Sequence, residues 1–351
     1  MITSLNFIPV AGCKPAHGYG KLEQALWSAL VEQGVAIRSI GELHPEGIAA
    51  LSDAAFAGLR KPPPHAANTL ITGVPDFGND PISFDSRLWL YTMSESTRVG
   101  RAYVDCINTL YAGAMVTAPD LVPIYRESGI KVPVYYVPMG ITPPPVQPIR
   151  RQPDKDRFIF LTYSLGEMRK GAELVIMAFK ELFGGDPRYQ LLVKAPPDPM
   201  PWLRAIPDDQ ILLIDGKLSE QAWFELLASV DCFVFPSRGE GFGLPPREAV
   251  LAGTPAIATE WLGMWDVACW GYPIDVAELR SYSFDGRANH QNAQWAEPDR
   301  ESLKCWMRYM VANQAEALGK IERQQAYLQE FTWRRTAKLM LDVIGGAHAH
   351  A

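Results

Sequence analysis

The chain contains no uninterrupted apolar run of about 18 residues, the length a bilayer-spanning helix needs. It has no Cys-x-x-Cys pair either: five cysteines stand apart at positions 13, 106, 232, 269 and 305. That scatter argues against a zinc ribbon or a disulfide framework and for reduced thiols in a cytoplasmic protein. The six histidines show no HxxxH or HxH grouping. No Asp-x-Asp motif stands in a convincing place, so no metal ion and no cofactor are expected. Basic residues are fewer than acidic ones, 33 against 39, for a net charge of −6. This gives no support to broad electrostatic binding of nucleic acid, although a local basic groove stays open. The opening "MITSLNFIPVAG" lacks a basic stretch followed by an apolar core and reads as a first strand.

What is present fits a large α/β protein. A chain of 351 residues is too long for one comfortable core and long enough for two. Short apolar runs ("ITSLNFIPV", "VAIRSI", "NTLITG", "LWLYTM", "GAMVTA", "VPVYYVP") alternate with helical patterns such as "KLEQALWSALVEQG". That alternation is the signature of a mostly parallel sheet wrapped by helices. "GITPPPVQPIRRQPDKDR" (140–157) is rich in proline and charge and suits a linker. The alternation then restarts with "RFIFLTY", "YQLLVKA", "QILLID", "DCFVFPS" and "TPAIAT". Two doubly wound Rossmann-like domains facing each other across a cleft are therefore expected: 1–147, then 148–330. Ligands of such sheets bind outside the carboxyl ends of the strands. Residues 277–298 are expected to be a long irregular loop.

Chemistry concentrates in "SRGEGFGLPPREAVLAG" (237–253). "DCFVFPS" reads as a buried strand, "RGEGFGLP" as the turn leaving its carboxyl end. A proline, Pro245 or Pro246, suits the first helical position, where no N–H is needed. Glu240 then sits on the turn and Glu248 in the opening turn of the helix. Glycines let the backbone approach a ligand and aim N–H groups at it. Such a site suits an elongated polar molecule with phosphates in the middle and hydroxyls at both ends. Against this stands a plain reading, in which Glu248 merely complements the helix dipole and Glu240 is a solvated loop residue.

The segment resembles the EGFG-P-x-x-E signature of retaining GT-B glycosyltransferases, the glycosyltransferase group 1 (GT4-like) family. "LWLYTMSESTR", "VPVYYVPMGI", "LGEMRKG", "AIATEWLG" and "WAEPDRESLKCWMRYM" resemble further family segments in family order. The resemblance implies that Glu240 contacts the transferred sugar and Glu248 the ribose, with Gly241, Phe242, Gly243 and Leu244 in the donor site. It also implies that residues 331–351 form a final helix crossing back to the first domain.

In "LGEMRKG", Arg169 and Lys170 precede a helix, where positive charge opposes the dipole. A fixed cation there can stabilise the charge that builds on a departing diphosphate. The family pairs a Lys before Gly with an Arg about five residues upstream. Lys170 matches, Leu165 or a neighbour occupies the upstream place, and Arg169 is the candidate substitute. Gly18 and Gly20 are expected to form a turn before the first helix, comparable to the family's turn beside the diphosphate. An ordinary tight turn explains that pair equally well. Lys194, at the end of "LLVKAPP", is placed on the cleft, with a solvated edge lysine as its alternative. Glu95 in "TMSES" is assigned an acceptor-side role. Trp295, Trp306 and Tyr309 read as packing.

The expected function is retaining transfer of a hexose from a UDP- or GDP-sugar, the donor being a co-substrate, to an acceptor hydroxyl without a metal ion. The acceptor is a glycan, a small molecule or DNA. Two other readings are a phage-type enzyme acting on hydroxylated bases of DNA and a non-catalytic nucleotide-sugar-binding protein.

Overall fold

A computed structural model describes residues 2–13, 18–49, 51, 53–75, 85–154, 156–164, 168–282 and 292–346. The chain divides into two compact units. Met1–Thr142, Gly286–Ala293 and Phe331–Ala351 form the first, and Pro143–Asp285 with Gln294–Glu330 the second. The change of unit thus falls at Thr142–Pro143, a few residues before the boundary expected from the proline-rich stretch.

In the first unit, β1 (Ser4–Pro9), β2 (Ala36–Ser39), β3 (Asn68–Thr72), β4 (Arg87–Thr92), β5 (Tyr111–Val116) and β6 (Val134–Tyr136) pair in the order β2-β1-β3-β4-β5-β6. Every pairing is parallel. The strand order reverses between β1 and β3, which makes their carboxyl ends the switch point of this sheet. There Glu23, fully buried on the helix Gly18–Glu32, takes the backbone N–H of Ala11 at 2.9 Å and of Cys13 at 2.8 Å. The Thr72 hydroxyl at the end of β3 donates to the same carboxylate at 3.0 Å.

The C-terminal helix Trp333–Ile344 belongs to this unit and packs on the helix Gly18–Glu32. Thr332 caps it, accepting from Arg335 N at 3.2 Å. Trp333 lies so close to Gly140 that an added Cβ would meet its ring at 2.5 Å, and Thr336 donates to the Pro138 carbonyl at 2.8 Å.

In the second unit, β7 (Phe158–Tyr163), β8 (Tyr189–Lys194), β9 (Ile211–Ile214), β10 (Cys232–Phe235), β11 (Ala256–Thr259) and β12 (Tyr272–Ile274) pair in the order β12-β11-β10-β7-β8-β9, again all parallel. Counted from β7, this is the Rossmann order, reversing between the first and fourth strands. β10 is buried along its whole length, as a central parallel strand covered on both faces must be. Phe160 of β7 packs on Phe183 and Phe179 of the helix Ala172–Phe183, ring centroids 5.5 and 6.2 Å apart.

Two expectations change here. Residues 277–298 are not irregular throughout: β13 (Val276–Arg280) and β14 (Trp295–Pro298) pair antiparallel, with Arg280 opposite Trp295. Short strands in a stretch of mixed polarity lack the period-2 alternation that would have marked them. Gly18 and Gly20 are not a turn before the first helix but residues of its first turn. Two glycines within three residues argued against helix on propensity, and tertiary context overrode it. Trp306, Tyr309 and Tyr272 form a packed aromatic cluster with centroids 5.2 to 5.7 Å apart, and Trp295 is buried.

Candidate active site

The site is assembled at the switch point of the second sheet. β7 and β10 lie side by side, and the loops leaving their carboxyl ends carry Arg169–Lys170 and Ser237–Gly243. What locks the two loops together is a glycine. Gly171 follows the short 3-10 turn Met168–Lys170 with φ 70°, and a Cβ there would sit 2.0 Å from the Pro236 carbonyl oxygen. No other residue allows that approach. Arg238 N donates to the Arg169 carbonyl at 2.7 Å, closing the junction.

On this frame three of the expected residues converge. Lys170 Nζ donates to Glu240 Oε1 at 2.6 Å, and Arg169 Nη1 reaches the same oxygen at 3.5 Å while donating to the Gly239 carbonyl at 2.7 Å. The Ser237 hydroxyl donates to Glu240 Oε1 at 2.7 Å. Lys170 also stands over the Phe235 ring, 5.5 Å from its centroid. The sequence suggested an exposed Arg-Lys pair opposing a helix dipole. Both side chains are instead buried, and the helix Ala172–Phe183 begins only after Gly171. Leu165, the candidate for the upstream cation position, lies outside the described residues. Burial alone would push the Glu240 carboxyl up, but the charges of Lys170 and Arg169 and the bonds from Lys170 and Ser237 outweigh it. The net shift is downward, so the group is held ionised.

Glu248 stands on the helix Leu244–Leu251, where one oxygen accepts the indole N–H of Trp223 at 2.6 Å. Trp223 in turn lies against Tyr163 of β7, centroids 5.8 Å apart. The helix starts at Leu244, ahead of both Pro245 and Pro246, the two expected first positions. Gly243 is its N-cap, in the left-handed region, and Leu244 takes the first helical position. Pro245 and Pro246 fit behind it, because the first-turn N–H groups have no intrahelical partner anyway. Glu248 is therefore the fifth helical residue and sits outside the first turn. That removes the dipole as the plain explanation for its presence.

Lys194 ends β8 and is buried, donating to the carbonyls of Ala195 and of Gly216, the latter at 2.7 Å. Its pKa is lowered by burial, which the nearby Asp215 charge only partly offsets. It thus holds the loop after β9 rather than presenting its charge as a solvated edge lysine would. Gly18, Gly20 and Glu95 belong to the first unit. Within it, Glu95 is half-buried and adds to the burial that pushes the Tyr19 hydroxyl upward.

Sequence reasoning missed several participants. Arg238 is gripped by Glu173 at 2.6 Å and Glu297 at 2.8 Å, which ties β14 to the site loop. Arg247 is fully buried against Asp266 at 2.6 Å. Arg247 in "PPREAV" reads as one half of an ordinary charged pair with Glu248 and gave no sign of its burial. Trp223 and Ser237 gave no local signal.

Residues 157–271, within the second unit, match the family model described as "Glycosyl transferases group 1". The chain is 25% identical over 222 residues to the serotype-specific mannosyltransferase WbdA of Escherichia coli, covering 56% of this chain and 27% of WbdA. It spans well under half the length of each of the curated relatives it matches here. The solved sucrose-phosphate synthase of Thermosynechococcus elongatus superposes with a TM-score of 0.69 at 16% identity, covering 98% of this chain and 99% of that one. The structure of Anabaena Alr3699/HepE in complex with UDP and glucose gives a TM-score of 0.67 at 10% identity, covering 98% of this chain and 100% of that one. The fold is GT-B: two Rossmann-like α/β units. Among the described residues, no helix is long and apolar enough to cross a membrane.

Proposed function

We propose that the protein is a retaining glycosyltransferase that moves a hexose from a UDP- or GDP-linked donor to an acceptor hydroxyl without a metal ion. The observation that carries this reading is the buried cluster at the second switch point, where Lys170 and Arg169 surround the carboxylate of Glu240. Two fixed cations beside a glycine turn can take over the charge that develops on a departing diphosphate. A metal-free site needs that positive charge, and these two side chains supply it.

Each remaining part has a role in the same scheme. Glu240 accepts hydrogen bonds from hydroxyls of the transferred sugar, and the Gly241–Leu244 backbone faces sugar and phosphates. Glu248, its carboxylate oriented by Trp223, accepts from the ribose. In the transfer step the bond from the anomeric carbon to the diphosphate oxygen breaks. The acceptor oxygen bonds to that carbon on the same face, and its proton passes to the leaving phosphate oxygen. No side-chain nucleophile is then required. Gly18 and Gly20 are assigned to the diphosphate, Lys194 to the donor side and Glu95 to the acceptor side. Mannosyltransferase relatives and a neighbour solved with UDP and glucose support a hexose and a nucleoside diphosphate. The five cysteines are free thiols, which supports a cytoplasmic setting.

The experiment is release of nucleoside diphosphate from a panel of UDP- and GDP-sugars with excess chelator present, followed by NMR of the product's anomeric centre. Release with retained configuration is expected. Activity abolished by chelator, or an inverted product, overturns the mechanism. Saturable donor binding with no release under any acceptor would make the chain a binding protein.

A further inference from the structure

Arg247 and Asp266 pose an energetic question. Both side chains are fully buried, bonded bidentate at 2.9 and 2.6 Å, and the guanidinium carbon stands over the Phe242 and Trp270 rings, 4.4 and 4.8 Å from their centroids. Tyr327 adds a bond to Asp266 at 3.0 Å. A buried ion pair is a poor source of stability, since apolar side chains of similar volume often do as well or better. The pair therefore calls for another explanation, and the rest of its bonds supply one.

Arg247 Nε donates to the Phe242 carbonyl at 3.1 Å, and Nη2 donates to the Gly263 carbonyl at 3.1 Å. Gly263 in turn donates its N–H to the Glu240 carbonyl at 3.1 Å. It lies so close that a Cβ there would stand 2.3 Å from the Gly241 carbonyl carbon. One guanidinium thus fixes, directly and through Gly263, two carbonyls of the turn Glu240–Gly243. In a planar trans peptide the C=O and the following N–H point in opposite directions. With the Phe242 carbonyl turned onto the fully buried arginine, the Gly243 N–H points the opposite way, away from Arg247.

We infer that Arg247 is a positioning residue. Held by Asp266, it sets the Phe242–Gly243 peptide plane so that the Gly243 N–H faces the donor's diphosphate and sugar. This rests on the donor site proposed above. The arginine touches neither donor nor acceptor, and its effect passes through the backbone it holds.

The test uses the full chain with two variants, Arg247→Met/Asp266→Leu and Arg247→Lys. The double variant replaces the pair by apolar volume. The lysine keeps charge against Asp266 but has no fork with which to hold both carbonyls. Two readouts are taken: amide hydrogen exchange of the peptide spanning 238–246, and nucleoside diphosphate release from UDP-glucose and GDP-mannose. In each variant that melts cooperatively, exchange across the turn should accelerate at least about tenfold while the sheet strands keep their protection. Turnover should fall about 10²-fold, as for a small misplacement of catalytic groups, with KM changing less. If the double variant does not fold, Arg247→Lys decides alone. Unchanged exchange in a folded variant overturns the inference, and so does faster exchange with unchanged kcat. A wild-type protein inert toward both donors would sink the donor-site reading, while the exchange arm still decides whether Arg247 holds the turn.

Discussion

Each of the two sheets places one buried carboxylate at its switch point, and the two are held in opposite ways. In the first unit Glu23 receives two backbone N–H groups and a threonine hydroxyl. In the second Glu240 receives an ammonium, a guanidinium and a serine hydroxyl. Burial dominates at Glu23, whose pKa is raised despite its hydrogen bonds, whereas the cations win at Glu240, whose pKa is lowered. A carboxylate spent on its own backbone is part of the loop's architecture. One paired with cations can turn to a ligand's hydroxyls while those cations take the ligand's phosphates. Both sheets are parallel with one reversal of strand order, and the partners of the buried carboxylate set their switch points apart.

The largest effect is expected on removing a cation from Glu240. Lys170→Ala should lower kcat by about 10²–10³, by analogy with the loss of one oxyanion-type donor. The donor's KM should rise less, since backbone N–H groups still hold the ground-state diphosphate, and arginine should rescue only in part. Steady-state release of nucleoside diphosphate checks it, and unaltered turnover would reject the role.

At the other switch point the expected loss is of stability. Glu23→Ala leaves the N–H groups of Ala11 and Cys13 without their acceptor, at about 1–3 kcal/mol each. Denaturant unfolding should show a drop of about 3 kcal/mol. The donor's KM measured on the remaining folded protein should stay near the wild-type value. A large change in KM with unchanged stability would mean that Glu23 belongs to a ligand site after all.

A smaller effect is expected at the ribose end. Glu248→Ala should weaken binding of the free nucleoside diphosphate by about 1.5–3 kcal/mol, the size of a hydrogen bond to a charged group. Trp223→Phe keeps a ring beside Tyr163 and removes only the indole N–H from Glu248, so it should cost less than Glu248→Ala. Calorimetry with UDP and GDP would show it, and a larger loss in Trp223→Phe would reverse the assignment.

The smallest effect separates the two carboxylates by pH. Glu240 titrates below its ordinary value of 4.5 when folded, so in acid the unfolded chain binds the extra proton. Its contribution to stability is present above that ordinary value and is lost as pH falls through the depressed one. Glu23 has the opposite sign: its folded pKa is raised, so its contribution is most favourable in acid and fades as pH climbs from 4.5 toward the raised value. Unfolding midpoints across that range should therefore show Glu240→Gln flattening the acid limb and Glu23→Gln flattening the fall above it. Identical pH profiles for both variants would erase the distinction.

Much of this arrangement was legible in the chain because parallel strands buried on both faces read as continuous apolar runs, as "FIFLTY" and "CFVF" do. Glu240 was legible because the glycines and prolines around it mark a turn at the end of such a run. What stayed hidden depends on partners far away in sequence. Lys170 and Glu240 are 70 residues apart, Trp223 and Glu248 are 25 apart, and nothing local announces either pair. The burial of Arg169 and Lys170 follows from the approach of Gly171 to Pro236, a contact between loops of two different strands. The hairpin of β13 and β14 escaped because its first strand is mostly exposed and has no apolar face to give it away.

The most direct measurement is a calorimetric titration of wild type and Glu240→Gln with UDP, UDP-glucose, GDP and GDP-mannose. Removing the carboxylate leaves Lys170 and Arg169 without their anion, so the free nucleoside diphosphate should bind the variant at least as tightly as the wild type. The added affinity that the sugar confers in the wild type should disappear. Equal weakening of sugar nucleotide and free diphosphate, or an unchanged preference for the sugar nucleotide, would contradict the assignment of Glu240 to the transferred sugar.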